Sequence, residues 1–106
     1  MSSAAEYLKR HLSDATDSLK SKWAETATNH GWDPTVHEAV DVSANDSGLS
    51  MTYPPNMADA VMSEEYGNGP VPPKAAMRNF TPEATGDVNK AVYDAFSEFI
   101  TSKGLL

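Results

Sequence analysis

Residues Val61 to Phe80 read V-M-S-E-E-Y-G-N-G-P-V-P-P-K-A-A-M-R-N-F, and the rest of the chain is organised around them. The stretch holds an acidic helix end at Glu64 and Glu65, and a Tyr66-Gly67 stop. A loop rich in glycine and proline follows (Gly67, Gly69, Pro70, Pro72, Pro73), then a short helix carrying a single arginine, Arg78. Glycine permits the sharp turns, and Pro73 suits the first turn of the next helix, which the pattern places at about Lys74 to Phe80. Val71 starts a short extended piece that its neighbouring prolines confine to an edge. Neighbouring carboxylates on a helix point in different directions, so only one of Glu64 and Glu65 faces a given partner. One of them is expected to meet Arg78 across the loop and fasten the two short helices together.

Upstream, Ser3 and Glu6 form a capping-box pattern, and Ala5, Leu8, Leu12, Ala15, Leu19 and Trp23 recur at steps of three and four. This predicts a helix from about residue 4 to 29, with Glu6 and Arg10 paired on its wet face and Gly31 just past its end. So long a helix either packs within the chain or projects part of its stripe towards a neighbouring subunit. Val36, Val40 and Val42, and then Leu49, Met51 and Tyr53, follow a period of two on either side of Ala44–Gly48, which is rich in turn residues. The expectation is a β-hairpin over about 36–53, its apolar face covered by a helix because a lone hairpin is marginal in water. Asn56 is placed to cap a short helix at about 57–65, with Met57, Val61 and Met62 inward. Thr81-Pro82-Glu83 reads as a kink or a fresh start. Val88, Val92, Ala95, Phe96, Phe99 and Ile100 mark a last helix over about 83–102, closed by Gly104. The predicted fold class is α+β in one domain spanning the 106 residues.

Composition narrows the function. The net charge of −7 disfavours sequence-independent binding to DNA or anionic membranes. No apolar run approaches the ~20 residues that span a bilayer, and nothing resembles a signal peptide, so synthesis in the cytoplasm is the default. The chain has no cysteine, and His11, His30 and His37 lack the spacing of a helical metal site. No nucleophile context surrounds any serine, and Gly67-x-Gly69 runs into prolines instead of a phosphate-cradling helix. The reading is therefore no catalytic residues, no cofactor and no metal. The methionines at 51, 57, 62 and 77 suit an adaptable core or a subunit interface, and Trp23 fits the first helix stripe. Trp32 is left between core and interface roles.

Glu65-Tyr66-Gly67 followed by Pro72-Pro73-Lys74-Ala75-Ala76-Met77-Arg78 resembles the small neck proteins of long-tailed bacteriophages. These are the head–tail connector and tail-completion proteins, including the gene-product-ten-like family. The resemblance covers about the second half of the chain. It departs from the family at Ala76, where a bulky aromatic is usual. It implies a structural subunit of the virion neck that joins the DNA-filled head to the tail as a stopper, a tail-completion protein or a tail terminator. The implied partners are further copies in a ring, neighbouring neck and tail-tube proteins, and DNA only in passage. A small acidic regulatory protein that binds a host partner is the alternative from a different class.

Overall fold

In a computed structural model, which describes residues 3–70 and 72–104, two long helices form the body of the molecule. Helix α1 is Ala4–Asn29. A short helix α2, Pro34–His37, follows, then strands β1, Asp41–Asn45, and β2, Gly48–Thr52. A single 3₁₀ turn, Pro55–Met57, leads into α3, Ala58–Tyr66, and α4, Ala76–Ser102, completes the chain. The α+β class stands, with a two-stranded antiparallel sheet. Val71 lies outside the described residues.

Helices α1 and α4 run antiparallel. Tyr7 meets Phe99 edge-on at 5.9 Å at one end, and Trp23 meets Phe80 at 5.5 Å towards the other. Leu12, Leu19, Trp23 and Ala27 from α1 pack with Phe80, Ala84, Val88 and Ala91 from α4. Small residues predominate on the α4 side, which lets the two backbones approach closely. Burying each large apolar side chain here is worth about 1.5–3 kcal/mol. The Cα radius of gyration, 16.7 Å, exceeds the ~13 Å of a rounded domain of this length, so the helix pair makes a rod with much outer surface.

Ion pairs flank the apolar seam. Lys22 reaches Asp87 at 2.7 Å, and that carboxylate raises the lysine's pKa. Arg10 and His11 both bond Glu98, whose carboxyl is held below the ordinary carboxylate range, mainly by the His11 hydrogen bond and then by Arg10. Arg10 also lies 5.1 Å from the Tyr7 ring centroid. The expected pairing of Arg10 with Glu6 is therefore replaced by one across the helix pair. Ser3 does cap α1, its hydroxyl oxygen accepting from the Glu6 N–H at 3.3 Å.

The hairpin rests on this pair with Val42 and Ala44 buried and their cross-strand partners Met51 and Leu49 half-buried. Asn45 Oδ1 accepts from the Ser47 N–H at 2.9 Å and shapes the turn. The first strand begins later than expected. Asp33 caps a short helix through Thr35 N–H at 2.8 Å, with Pro34 in its first turn, so Val36 is helical and only Val40 and Val42 follow the strand pattern into the core.

Two other boundaries shift. Asn56 falls inside the 3₁₀ turn and does not cap α3. The two helices expected around Pro82 are one, because the missing N–H of Pro82 leaves the carbonyl of Arg78, and both residues lie on the exposed side where water can satisfy it. Thr81 additionally donates its hydroxyl to the Met77 carbonyl at 2.7 Å. Ala5, Met62 and Phe96, expected inward, are exposed. Gly31 (φ +82°) and Gly104 (φ +70°) do close their helices in left-handed conformations.

One prediction concerns acid. Because the folded carboxyl of Glu98 titrates below its unfolded value of 4.5, its contribution is present above that value and is lost as pH falls through the folded pKa. Glu98→Gln is expected to flatten the acid limb of thermal stability below pH 4.5 and to leave its shape near neutrality unchanged. Melting curves between pH 2 and 7 check this.

Candidate functional site

The Glu64–Arg78 region is built around a helix start that cannot cap itself. Ala75 occupies the N-cap position of α4 and has no side chain that accepts a hydrogen bond. The first N–H groups of a helix need acceptors, and its dipole favours negative charge there. Glu65 supplies both from the end of α3. One carboxylate oxygen accepts from Met77 N–H at 2.7 Å, and the other accepts from Arg78 N–H at 3.0 Å. The second oxygen also accepts from Arg78 Nε at 2.8 Å. Arg78 Nη2 then turns back and donates to the Glu65 carbonyl at 2.7 Å, satisfying an acceptor at the end of α3. The Glu65 residue is 1% exposed, so its charge is compensated wholly by these donors.

Glu64 points elsewhere, as neighbours on a helix must. Its Oε2 accepts from Asp33 N–H at 2.8 Å, at the start of α2. Lys74 connects the same parts. Its N–H donates to the Glu64 carbonyl at 2.9 Å, and its Nζ lies 3.5 Å from Glu64 Oε1 and donates to the Gly31 carbonyl at 3.1 Å. Trp32 donates Nε1–H to the Lys74 carbonyl at 2.6 Å and stacks edge-on against Trp23 at 5.2 Å. Trp23 in turn donates to the His37 carbonyl at 3.1 Å. Both tryptophans are 3% exposed, which resolves Trp32 as a core residue.

Of the residues singled out from sequence, Glu64, Glu65, Tyr66 and Arg78 therefore converge on one end of the rod. Tyr66 is 56% exposed, with the Arg78 guanidinium 4.7 Å from its ring centroid. Gly67 (φ +83°) ends α3, and its N–H donates to the Ser63 carbonyl at 2.9 Å. Gly69 (φ +58°) also takes a left-handed conformation. Gly69, Pro70, Pro72 and Pro73 are exposed and enter no polar network with the helices. Sequence reasoning anticipated the carboxylate–guanidinium contact but missed the two backbone bonds. The signal was present: Ala75-Ala76 opens a helix with no capping side chain of its own.

An open apolar groove of about 410 Å³ lies beside the clamp, lined by Met62, Glu65, Tyr66, Met77, Arg78, Thr81 and Pro82. Among the described residues no group of three or more His, Asp or Glu could hold a metal ion, and no helix is long and apolar enough to cross a membrane. Comparison of the chain with protein families, with curated proteins and with solved structures finds no match.

The geometry ranks three substitutions. Glu65→Ala strips α4 of its acceptor and is expected to cost about 2–4 kcal/mol. Glu65→Gln keeps one carbonyl oxygen and is expected to cost less. Arg78→Ala leaves both backbone donors on Glu65, and with the arginine side chain 50% exposed its loss is expected to cost about 0.5–1.5 kcal/mol. Urea unfolding of the three variants checks the order, and an Arg78→Ala cost above that of Glu65→Ala would show the ion pair, not the cap, to dominate.

Proposed function

We propose that this chain is a structural subunit of a phage neck, a ring-forming connector, tail-completion or terminator protein that joins the DNA-filled head to the tail. The observation that carries the reading is the meeting of the two halves of the sequence resemblance. Glu65-Tyr66 and Arg78 lie thirteen residues apart at their extremes and form one clamp. The clamp presents the glycine/proline loop at an end of an elongated molecule. A proline-rich loop held at both ends loses little conformational entropy on docking, which suits a contact between subunits or layers. Side-by-side contacts between different surfaces close into a ring by rotation. The net charge of −7 suits a channel through which DNA passes without adhering. On this reading the protein is made in the host cytoplasm, ends in the virion, and has neighbouring neck and tail-tube proteins as partners. It performs no catalysis and holds no cofactor.

The test is electron microscopy of lysates from infections carrying Arg78→Ala, beside circular dichroism of the purified variant. The expected result is filled heads and separate tails that fail to join, from a variant that keeps its helical signal. Normal virions with the variant, or absence of the protein from purified virions, would overturn the reading.

A further inference from the structure

The two edges of the hairpin are treated differently. Asn45 faces Gly48 across a two-residue turn, so Ala44 and Leu49, and Val42 and Met51, form the pairs whose backbone groups point away from each other. On the β1 side α1 closes the edge at Ala44. Thr16 Oγ1 accepts from Ala44 N–H at 2.8 Å and lies 3.4 Å from the Ala44 carbonyl, to which it can donate. On the β2 side no described residue bonds the outward N–H and C=O groups of Leu49 or Met51.

Proteins usually guard such an edge with lysine, proline or a bulge. Gly48-Leu49-Ser50-Met51-Thr52 has none of these and carries no charge. On a chain of net charge −7, this is a strand where a second copy can approach without like charges meeting directly. The strand is also self-complementary. Two copies laid antiparallel about a two-fold axis at Ser50 place Leu49 opposite the other copy's Met51 twice, and each such pair exchanges two backbone hydrogen bonds. Asp46 then faces Pro54 of the other copy, and no acid faces an acid across the strand pair. A two-stranded sheet, marginal by itself, becomes a four-stranded one. On the adjoining helix α4, Val92 packs on the core, while Phe96 one turn further on is 50% exposed and Tyr93 is 71% exposed. These rings supply apolar surface on the outer side of the helix that β2 rests on.

We infer that the outer edge of β2 pairs two copies of this chain through an antiparallel, two-fold β2–β2 contact. The contact closes at two copies and rests on the hairpin alone, so it stands independently of the neck reading.

Sedimentation equilibrium of the full chain from 1 µM to about 1 mM, with Ser50 variants, tests it. At the axis the two Ser50 Cα atoms would lie about 4.5 Å apart, within reach of a disulfide. Ser50 lies on the face of the hairpin away from the core, so Ser50→Lys and Ser50→Glu leave the fold intact by circular dichroism while setting like charges opposite each other. The expected result is a wild-type dimer whose dissociation constant rises at least tenfold in both variants. Ser50→Cys, in a chain otherwise free of cysteine, is expected to oxidise to a covalent dimer faster than Ser13→Cys on the exposed face of α1. A wild-type protein that is monomeric throughout overturns the proposal. So does a dimer that either charged variant leaves unweakened, or one in which Ser50→Cys oxidises no faster than Ser13→Cys.

Discussion

A buried carboxylate holds the far end of this molecule together. Glu65 ends one helix and caps the next, accepting two backbone N–H bonds and one guanidinium N–H bond within a site from which water is excluded. A charge removed from water is costly unless its partners are all in place. Here the partners are the start of α4 and Arg78, so the carboxylate, the helix N-terminus and the loop between them are mutually dependent. The position of α3 follows from it. That helix buries only Val61 and Glu65, so one buried apolar side chain, the bonds of two adjacent glutamates and the stacking of Arg78 on Tyr66 hold it to the body.

The body obeys a different logic. Helices α1 and α4 meet along an apolar seam of leucine, tryptophan and alanine, non-directional and continuous along much of the rod. Direction comes from the aromatic groups at one end. Trp23 and Trp32 stack edge-on, and each donates its indole N–H to a carbonyl of a connecting segment, His37 and Lys74. The connections between elements are thus tied to the core by polar ends of side chains whose bodies fill it. The hairpin is held by apolar contact and by Thr16, which bonds the β1 edge at Ala44, while no described residue bonds the outward groups of Leu49 and Met51 on the β2 edge.

A rod of two helices and a hairpin has too little second layer to cover every apolar residue, and Met62, Tyr66, Tyr93 and Phe96 remain exposed on α3 and α4. The first two border the groove beside the Glu65–Arg78 clamp, and the last two lie on the helix that carries β2. Large exposed apolar side chains grouped in this way are features of interaction surfaces.

The sequence by itself determined the α+β class, the extent of α1, the hairpin's second strand, and the meeting of a glutamate with Arg78. Each rests on a local pattern: a stripe at helical spacing, an alternation ending in Pro54-Pro55, and an opposite charge on either side of a short loop. Only the tertiary structure decided the rest. It chose Glu65 over Glu64, because the end of α3 directs one carboxylate at the α4 start and the other at Asp33. It joined the segments around Pro82 into one helix, because the lost hydrogen bond falls on the wet side. It turned Arg10 from Glu6 to Glu98, because the antiparallel packing brings the end of α4 alongside. It left Phe96 exposed although its spacing matches the stripe, because the hairpin and α1 cover only one side of α4. Periodicity reports which residues share a face of a helix; whether that face is covered depends on elements distant in the chain.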